Sequence, residues 1–306
     1  MIVSVAILTY KRKDILAKLL GQLVDLKGIS QIIVVDNDSE SAGLNLERFE
    51  KVEYVINTDN KGTGARNIAI EKAQGDIVIC LDDDVYGLND NSITFLRNTF
   101  MNNLNIGAVC FKVLDASTNQ ITNWCHHRNP EIWGSEPFDT YEISEGAVAF
   151  RVSVLNEAGH YCEEFFISHE GLDLACRILD IGYKINYRPE VCVYHYHHKS
   201  GRQSWRRYYY DTRNQFYVAV RNFPLGYAIR YLSFGLLTML FYSLRDGYLK
   251  YYFKAILDGI NDLNSMAKQR KTISKDTVNY IKQCNKYRAS MMFKIKNRIL
   301  AKKIQI

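Results

Sequence analysis

Short apolar, β-branched runs alternate with stretches of helical spacing through the first third of the chain, and this alternation limits the possible folds most tightly. Ile2–Leu8, Gln31–Val35, Lys51–Ile56 and Asp76–Leu81 read as strands. Between them, Asp14–Val24 puts Ile15, Leu16, Leu19, Leu20 and Leu23 on one helical face, and Gly64–Ala73 gives a second helix. Strand–helix alternation predicts an α/β fold with a parallel, doubly wound sheet and right-handed crossovers. Open sheets of this kind hold their ligands beyond the carboxyl ends of the strands. Every polar cluster in the region falls there: Thr9–Arg12, Asp36–Ser39, Asn60–Asn67 and Asp82–Asp84.

The last cluster is the most demanding chemically. Val78-Ile79-Cys80-Leu81 reads as a buried strand that runs straight into Asp82, Asp83 and Asp84. Carboxylates so close repel, and burying them unpaired is costly, so a cation is the natural compensation. Oxygen ligands favour Mg²⁺ or Mn²⁺, which commonly bridge protein carboxylates to substrate phosphates. Taken alone, such a triplet reads first as a solvated acidic turn; its place among the other strand-end clusters reverses that reading. Asp36, at the tip of Ile32–Val35, is able to accept a hydrogen bond from a nucleobase or to cap a turn with Asn37, Asp38 and Ser39. The Asn60–Asn67 loop opens a helix, and its backbone N–H groups with Arg66 suit a diphosphate. It lacks the third glycine of the dinucleotide fingerprint and the Gly-Lys-Ser/Thr of a P-loop.

At 306 residues the chain accommodates one large α/β domain with an appendage, or two modest domains. Its seven cysteines form no Cys-x-x-Cys pair, which fits reduced thiols in a cytoplasmic setting rather than a disulfide frame or a zinc site. No basic region precedes the first apolar run, so no signal peptide is expected. Charge is unevenly placed. From Ser265 to Ile306 there are 12 Lys/Arg against one acid, Asp276, in a chain of net charge +6, so the remainder is net acidic. Ahead of this tail, residues 225–257 are rich in Leu, Phe and Tyr but broken by Arg230, Arg245, Lys250 and Lys254. The longest uncharged stretch, Tyr231–Leu244, falls short of the roughly 20 residues that span a bilayer. An amphipathic segment followed by a polybasic tail suits a helix lying on an anionic membrane surface; a core helix with a solvated basic face is the alternative.

The ordered series Leu8-Thr9-Tyr10-Lys11-Arg12, Val34-Val35-Asp36-Asn37-Asp38-Ser39, Asn60-x-Gly62-x-Gly64-Ala65-Arg66-Asn67 and Gly75-Asp76 through Asp82-Asp83-Asp84 resembles the family 2 glycosyltransferases. Gly146-Ala147 with Arg151, Gly159, Glu163-Glu164-Phe165-Phe166, His169-Glu170-Gly171-Leu172-Asp173-Leu174, Gly182-Tyr183-Lys184-Ile185 and Pro189–His195 continue it. The resemblance covers roughly residues 1–200. It implies a GT-A fold, a mostly parallel Rossmann-like sheet flanked by helices, with a nucleotide-sugar half near 1–113 and an acceptor half near 114–200. Residues 201–306 would form a helical, membrane-associated extension. The implied activity is inverting, nucleotide-sugar-dependent transfer to a glycan or lipid-linked glycan in polysaccharide biosynthesis, with a UDP-sugar as the expected donor and no nucleic-acid partner.

By the same resemblance, Thr9 and Asp36 hold the nucleoside, Arg66 approaches the phosphates, and Asp82 and Asp83 contact the nucleotide sugar. Asp82, Asp84 and His195 would hold Mg²⁺ or Mn²⁺, with His197 and His198 as substitutes for His195. Inverting transfer also needs a general base opposite the leaving group. In many members the base is the Asp of a Glu-Asp-x-Asp-Leu motif, and here that position is Gly171. Glu170, with His169 in support, is the nearest candidate; Asp173 is the second, though it also suits the N-terminal charge of a helix. Trp124 and Trp133 are placed to stack on acceptor sugars or to pin their loop, and the Arg/Tyr-rich stretch Arg202–Asn214 to bind a diphosphate or to pack. A sugar-1-phosphate nucleotidyltransferase is the enzymatic alternative, though its glycine-rich loop would occupy the place of Thr9–Arg12. A membrane-surface adaptor without activity is the other.

Overall fold

The computed structural model describes residues 1–38, 40–41, 44, 49–196 and 205–294. Ser39, His197, His198 and Arg202 lie outside them, as does the end of the basic tail. The expected alternation is present. β1 (Val3–Thr9), α1 (Lys13–Leu23), β2 (Ile29–Asp36), β3 (Val52–Ile56), α2 (Arg66–Lys72) and β4 (Ile77–Asp82) follow in order. A 3₁₀ turn, Gly62–Ala65, leads into α2. Then come β5 (Val85–Tyr86), α3 (Asp90–Asn102), β6 (Ile106–Asp115), α4 (Pro130–Trp133), β7 (Phe138–Thr140), β8 (Ala147–Arg151), α5 (Val152–Ala158), α6 (Glu170–Asp180) and β9 (Lys184–His195).

The strands make one sheet in the order β3-β2-β1-β4-β8-β6-β9-β5, with β7 beside β9. The first four are parallel, as the alternation requires. The second half is mixed: β8 runs antiparallel to β4 and β6, whereas β6 and β9 are parallel. Register does the functional work. Thr9 pairs with Asp36, Leu8 with Asp82, Leu81 with Ala147 and Val85 with His195. These pairings bring the ends of β1, β2, β4, β8 and β9 to one edge. Both faces of the central strands are buried, with Val3, Val5, Ile77 and Ile79 packing on α1 residues Leu16, Leu19, Leu20 and Leu23, and Ala6, Ile33, Val78 and Cys80 packing on α2. That two-sided burial explains why these strands are nearly continuous apolar runs.

Beyond residue 204 the described chain is helical: α7 (Trp205–Asn222), α8 (Leu225–Asp246), α9 (Leu249–Asn261), α10 (Leu263–Lys268), α11 (Lys275–Cys284) and α12 (Met291–Lys294). This extension shares a core with the body, in which Phe216, Tyr217, Val218, Ile273, Val278 and Ile281 pack with Tyr141, Cys162, Phe165 and Cys176. Tyr208 donates to Asp246 (2.7 Å), Tyr209 to Asp258 (2.5 Å) and Tyr217 to Asp262, stitching α7 to α8, α9 and the start of α10. α8 runs unbroken for 22 residues and is long and apolar enough to cross a membrane by length and composition alone, with a mean hydropathy of 1.2. Its charged residues fall at its ends and edges, so the helix extends past the uncharged Tyr231–Leu244 stretch.

Candidate active site

Each residue of the acidic triplet has its own partner. Asp82, the last residue of β4, pairs with the Arg66 guanidinium at the start of α2. Asp83 accepts from Thr9 Oγ1 at 2.6 Å and pairs with Arg12 at 2.6 Å. Asp84 pairs with Arg12 at 2.5 Å, and its Oδ1 lies 3.1 Å from His195 Nε2. One arginine therefore compensates two of the three charges. The two carboxyls still diverge: burial pushes Asp83 up to about 7, against Arg12 and Thr9. Asp84, although burial works the other way, is held down at about 2 by His195 and Arg12. Arg66 is only 2 % exposed, and the carboxylates of Asp82 and Glu145 outweigh the cost of its burial and keep it charged.

This arrangement divides the expected metal set. Asp84 and His195 converge because β5 and β9 are in register, but Asp82 is turned to Arg66. Among the described residues no group of three or more His, Cys, Asp or Glu is arranged to hold a metal ion. The Asp84–His195 pair nevertheless suits one. Asp84 Oδ1 is buried and lies beside an imidazole nitrogen, an oxygen–nitrogen set that Mn²⁺ accepts. The other ring nitrogen of His195 meets the Asn123 side chain at 3.0 Å, which orients the ring.

Thr9 and Asp36 sit side by side at the tips of β1 and β2, both buried. Asp36 accepts from Tyr54 at 2.5 Å and from the Asp38 backbone N–H at 3.1 Å. Burial, with the Asp36 bond second, raises the Tyr54 hydroxyl well above its usual range. The loop before α2 is anchored against the segment before α6. Thr63 N–H donates to the Phe166 carbonyl at 2.7 Å, and Gly62 has φ +57 with its backbone so close to that oxygen that a Cβ would lie 1.9 Å from it. Only glycine meets both demands.

The segment entering α6 is strained, since Phe166, Ser168 and His169 all have positive φ. Carbonyl-directed bonds from α7 hold it. Asn214 donates to Phe165, Ile167 and Ser168 (2.7–3.0 Å), and Arg213 to Glu164 and Phe165. Arg213 and Asn214 thus pack rather than present themselves to a diphosphate. Trp124 likewise pins its loop, donating to the Arg128 carbonyl and packing edge-on to Tyr187, while Trp133 lies under the Arg128 guanidinium.

The two base candidates are placed differently. Glu170 opens α6, is 2 % exposed, and has an oxygen without a hydrogen-bond partner; burial raises its carboxyl. His169, whose pKa burial lowers, meets the Tyr231 hydroxyl at 3.3 Å. Asp173 has its carboxylate fully engaged. It takes bonds from Arg177 (2.9 Å), Arg221 (2.8 Å) and Asn222 (2.7 Å), and those two arginines, overcoming burial, hold it below the usual carboxylate range. It ties α6 to α7. Glu145 carries no local signal in the sequence. It lies on the turn into β8 with its Oε2 at 3.7 Å from Arg66 Nη1, and burial followed by the charge of Glu170 pushes it up to about 8. Arg12 and Tyr54 were also missed as site residues, although Arg12 ends the first strand-tip cluster.

A parallel half-sheet whose strand tips gather a buried aspartate, an arginine at a helix start and an acidic triplet, joined to a mixed second half, defines a GT-A glycosyltransferase architecture. The sequence model described as Glycosyl transferase family 2 matches residues 4–159, and the chain belongs to that family. That membership speaks against the nucleotidyltransferase alternative. Over 201 residues it is 29 % identical to the O-antigen chain rhamnosyltransferase WbaN of Salmonella anatum, a match covering 60 % of this chain and 61 % of that protein. The match thus spans about three fifths of the relative's length. Among solved structures, S. aureus TarS 1–349 in complex with UDP-GlcNAc superposes with a TM-score of 0.60 at 15 % identity, covering 93 % of this chain and 88 % of that one. GalNAc-T7 with UDP, GalNAc and Mn²⁺ does so with a TM-score of 0.55 at 17 % identity, covering 70 % and 51 %.

Proposed function

We propose that the chain is an inverting transferase of polysaccharide biosynthesis, moving a hexose or deoxyhexose from a nucleoside diphosphate sugar to a glycan or lipid-linked glycan. The observation that carries this reading is the shared strand-end edge where Asp36, Arg66, Asp82 and the Asp84–His195 pair meet. Similarity to an O-antigen rhamnosyltransferase favours rhamnose as the sugar, and complexes of TarS and GalNAc-T7 with uridine nucleotides favour UDP as the carrier. Asp36 and Thr9 would hold the nucleoside, with the Asp36 carboxylate aligned by Tyr54. Arg66 lies at the helix N-terminus expected to receive the phosphates, and Asp82 and Asp83 border the sugar. Asp84 and His195 would hold Mg²⁺ or Mn²⁺, which supplies positive charge to stabilise the departing diphosphate. The acceptor hydroxyl would lose its proton to one of the buried carboxylates gathered around Gly171, where Glu170 begins α6.

Membrane contact is the second part of the reading. Leu225, Ile229, Phe234, Leu237, Phe241 and Leu244 of α8 are exposed at 45–74 %, with Phe253 and Leu257 of α9 alongside. Their helical spacing makes continuous apolar stripes, and Arg230, Lys250 and Lys254 with the basic tail add charge of the sign an anionic bilayer attracts. That geometry suits an enzyme lying on the cytoplasmic face of a membrane beside a lipid-linked acceptor. Hydrolysis of a panel of UDP-, GDP- and TDP-sugars with and without Mn²⁺ tests the catalytic reading. No metal-dependent release of nucleoside diphosphate from any of them would refute it.

A further inference from the structure

Gly171 stands where the resemblance to family 2 enzymes places an aspartate base, and glycine has no group to receive a proton. The volume that a side chain would fill there is nevertheless occupied. A Cβ on Gly171 would lie 2.4 Å from Glu145 Oε1, far inside contact distance, and 3.0 Å from the Ile143 carbonyl oxygen. The occupant is a carboxylate from a different element, the turn entering β8. Gly146 makes the approach possible: its φ is +73, and a Cβ there would strike the Asp82 carboxylate at 2.3 Å.

Around Glu145 are Arg66 Nη1 at 3.7 Å, Glu170 and the Tyr161 hydroxyl. Both oxygens of Glu145 are buried, and its charge is met by Arg66 at 3.7 Å and the Tyr161 hydroxyl rather than by a close ion pair. Its side chain is 21 % exposed although both carboxylate oxygens are themselves buried, so the carboxylate lies just beneath the surface of the cleft.

Given the inverting transfer proposed above, we propose that Glu145 replaces the missing side chain of residue 171 as the proton acceptor. In that step the acceptor O–H bond breaks and its proton passes to the Glu145 carboxylate. The oxygen's electron pair forms the new bond to the anomeric carbon, and the bond from that carbon to the phosphate oxygen breaks, its pair leaving with the nucleoside diphosphate. Burial and the neighbouring charge of Glu170 raise the carboxyl and strengthen its ionised form as a base, while Arg66 draws it toward that form.

Variants of the full chain test this with the donor that the hydrolysis panel selects. Glu145→Gln keeps the shape and removes the base. It is expected to lower kcat for transfer by about 100- to 10,000-fold while the donor KM stays within about twofold. Gly171→Asp alone should be poorly active, because its side chain meets Glu145. Glu145→Ala/Gly171→Asp moves the carboxylate onto α6 and should recover at least about tenfold over Glu145→Ala, a gain that only a base in the right place supplies. A near-normal kcat in Glu145→Gln, or a loss confined to donor KM, overturns the assignment. Should the double variant fail to fold, Glu145→Gln decides alone. A wild-type protein that turns over no donor refutes the donor chemistry itself, a separate failure.

Discussion

Replacing Asp173 by Asn separates a structural carboxylate from a catalytic one. In the native chain its Oδ1 accepts from Arg221 at 2.8 Å and Asn222 at 2.7 Å, and its Oδ2 from Arg177 at 2.9 Å. An amide has one accepting oxygen, so one of these sites would become donor against donor. Two guanidiniums would also lose their counter-charge in a site where Asp173 is fully buried. Removing one partner from such a network costs about 3–5 kcal/mol. With an unfolding entropy of about 2.1 cal/mol/K per residue, this corresponds to a fall in Tm of about 5–8 °C for a chain of this size. The pH dependence has a definite sign. Since the folded pKa is depressed, the stabilisation is complete above the unfolded value of about 3.9 and is lost as pH falls through the folded value. The gap between wild type and Asp173→Asn should therefore be full at neutral pH and close in acid. Thermal melts across pH, run beside transfer assays well below Tm, check this. A melt within about 1 °C of wild type, or abolished transfer in a variant that melts normally, would refute the structural assignment.

Asp84→Ala should remove the Mn²⁺ dependence of donor hydrolysis and lower turnover by at least about 100-fold; metal titration of the activity reads it. Gly146→Ala adds a Cβ 2.3 Å from the Asp82 carboxylate at a φ that alanine disfavours, so donor KM should rise sharply with the fold retained by circular dichroism. Leu237→Asp with Phe241→Asp puts charge into the exposed stripe of α8 and should release the protein from anionic vesicles in flotation, leaving donor hydrolysis in solution unchanged.

Four strands, their intervening helices and the strand-end placement of every polar cluster were legible in the sequence, because side-chain periodicity is a local property imposed by two-sided burial. β1 to β4 lie within a residue or two of the positions that the apolar runs indicate. The positions of Thr9, Asp36, Arg66 and Asp82 were legible for the same reason: each sits at the end of an element or the start of the next. The mixed half of the sheet was less so, since antiparallel β8 reaches β4 only after a stretch of irregular chain with no periodicity to read.

Which charges meet was not written in that local pattern. Electrostatic pairing depends on distance in space, and the decisive pairs join residues far apart in the chain. Asp84 finds His195 through the pairing of β5 with β9, and Asp173 finds Arg221 because α7 packs on α6. Asp82 leaves the expected metal set because α2 delivers Arg66 to it. By itself the sequence determined an α/β sheet with its polar clusters at one strand-end edge, and a glycine at position 171. Only the tertiary structure decided what fills that gap, since Glu145 comes within reach of Gly171 when β8 is laid beside β4, and no spacing along the chain records that contact.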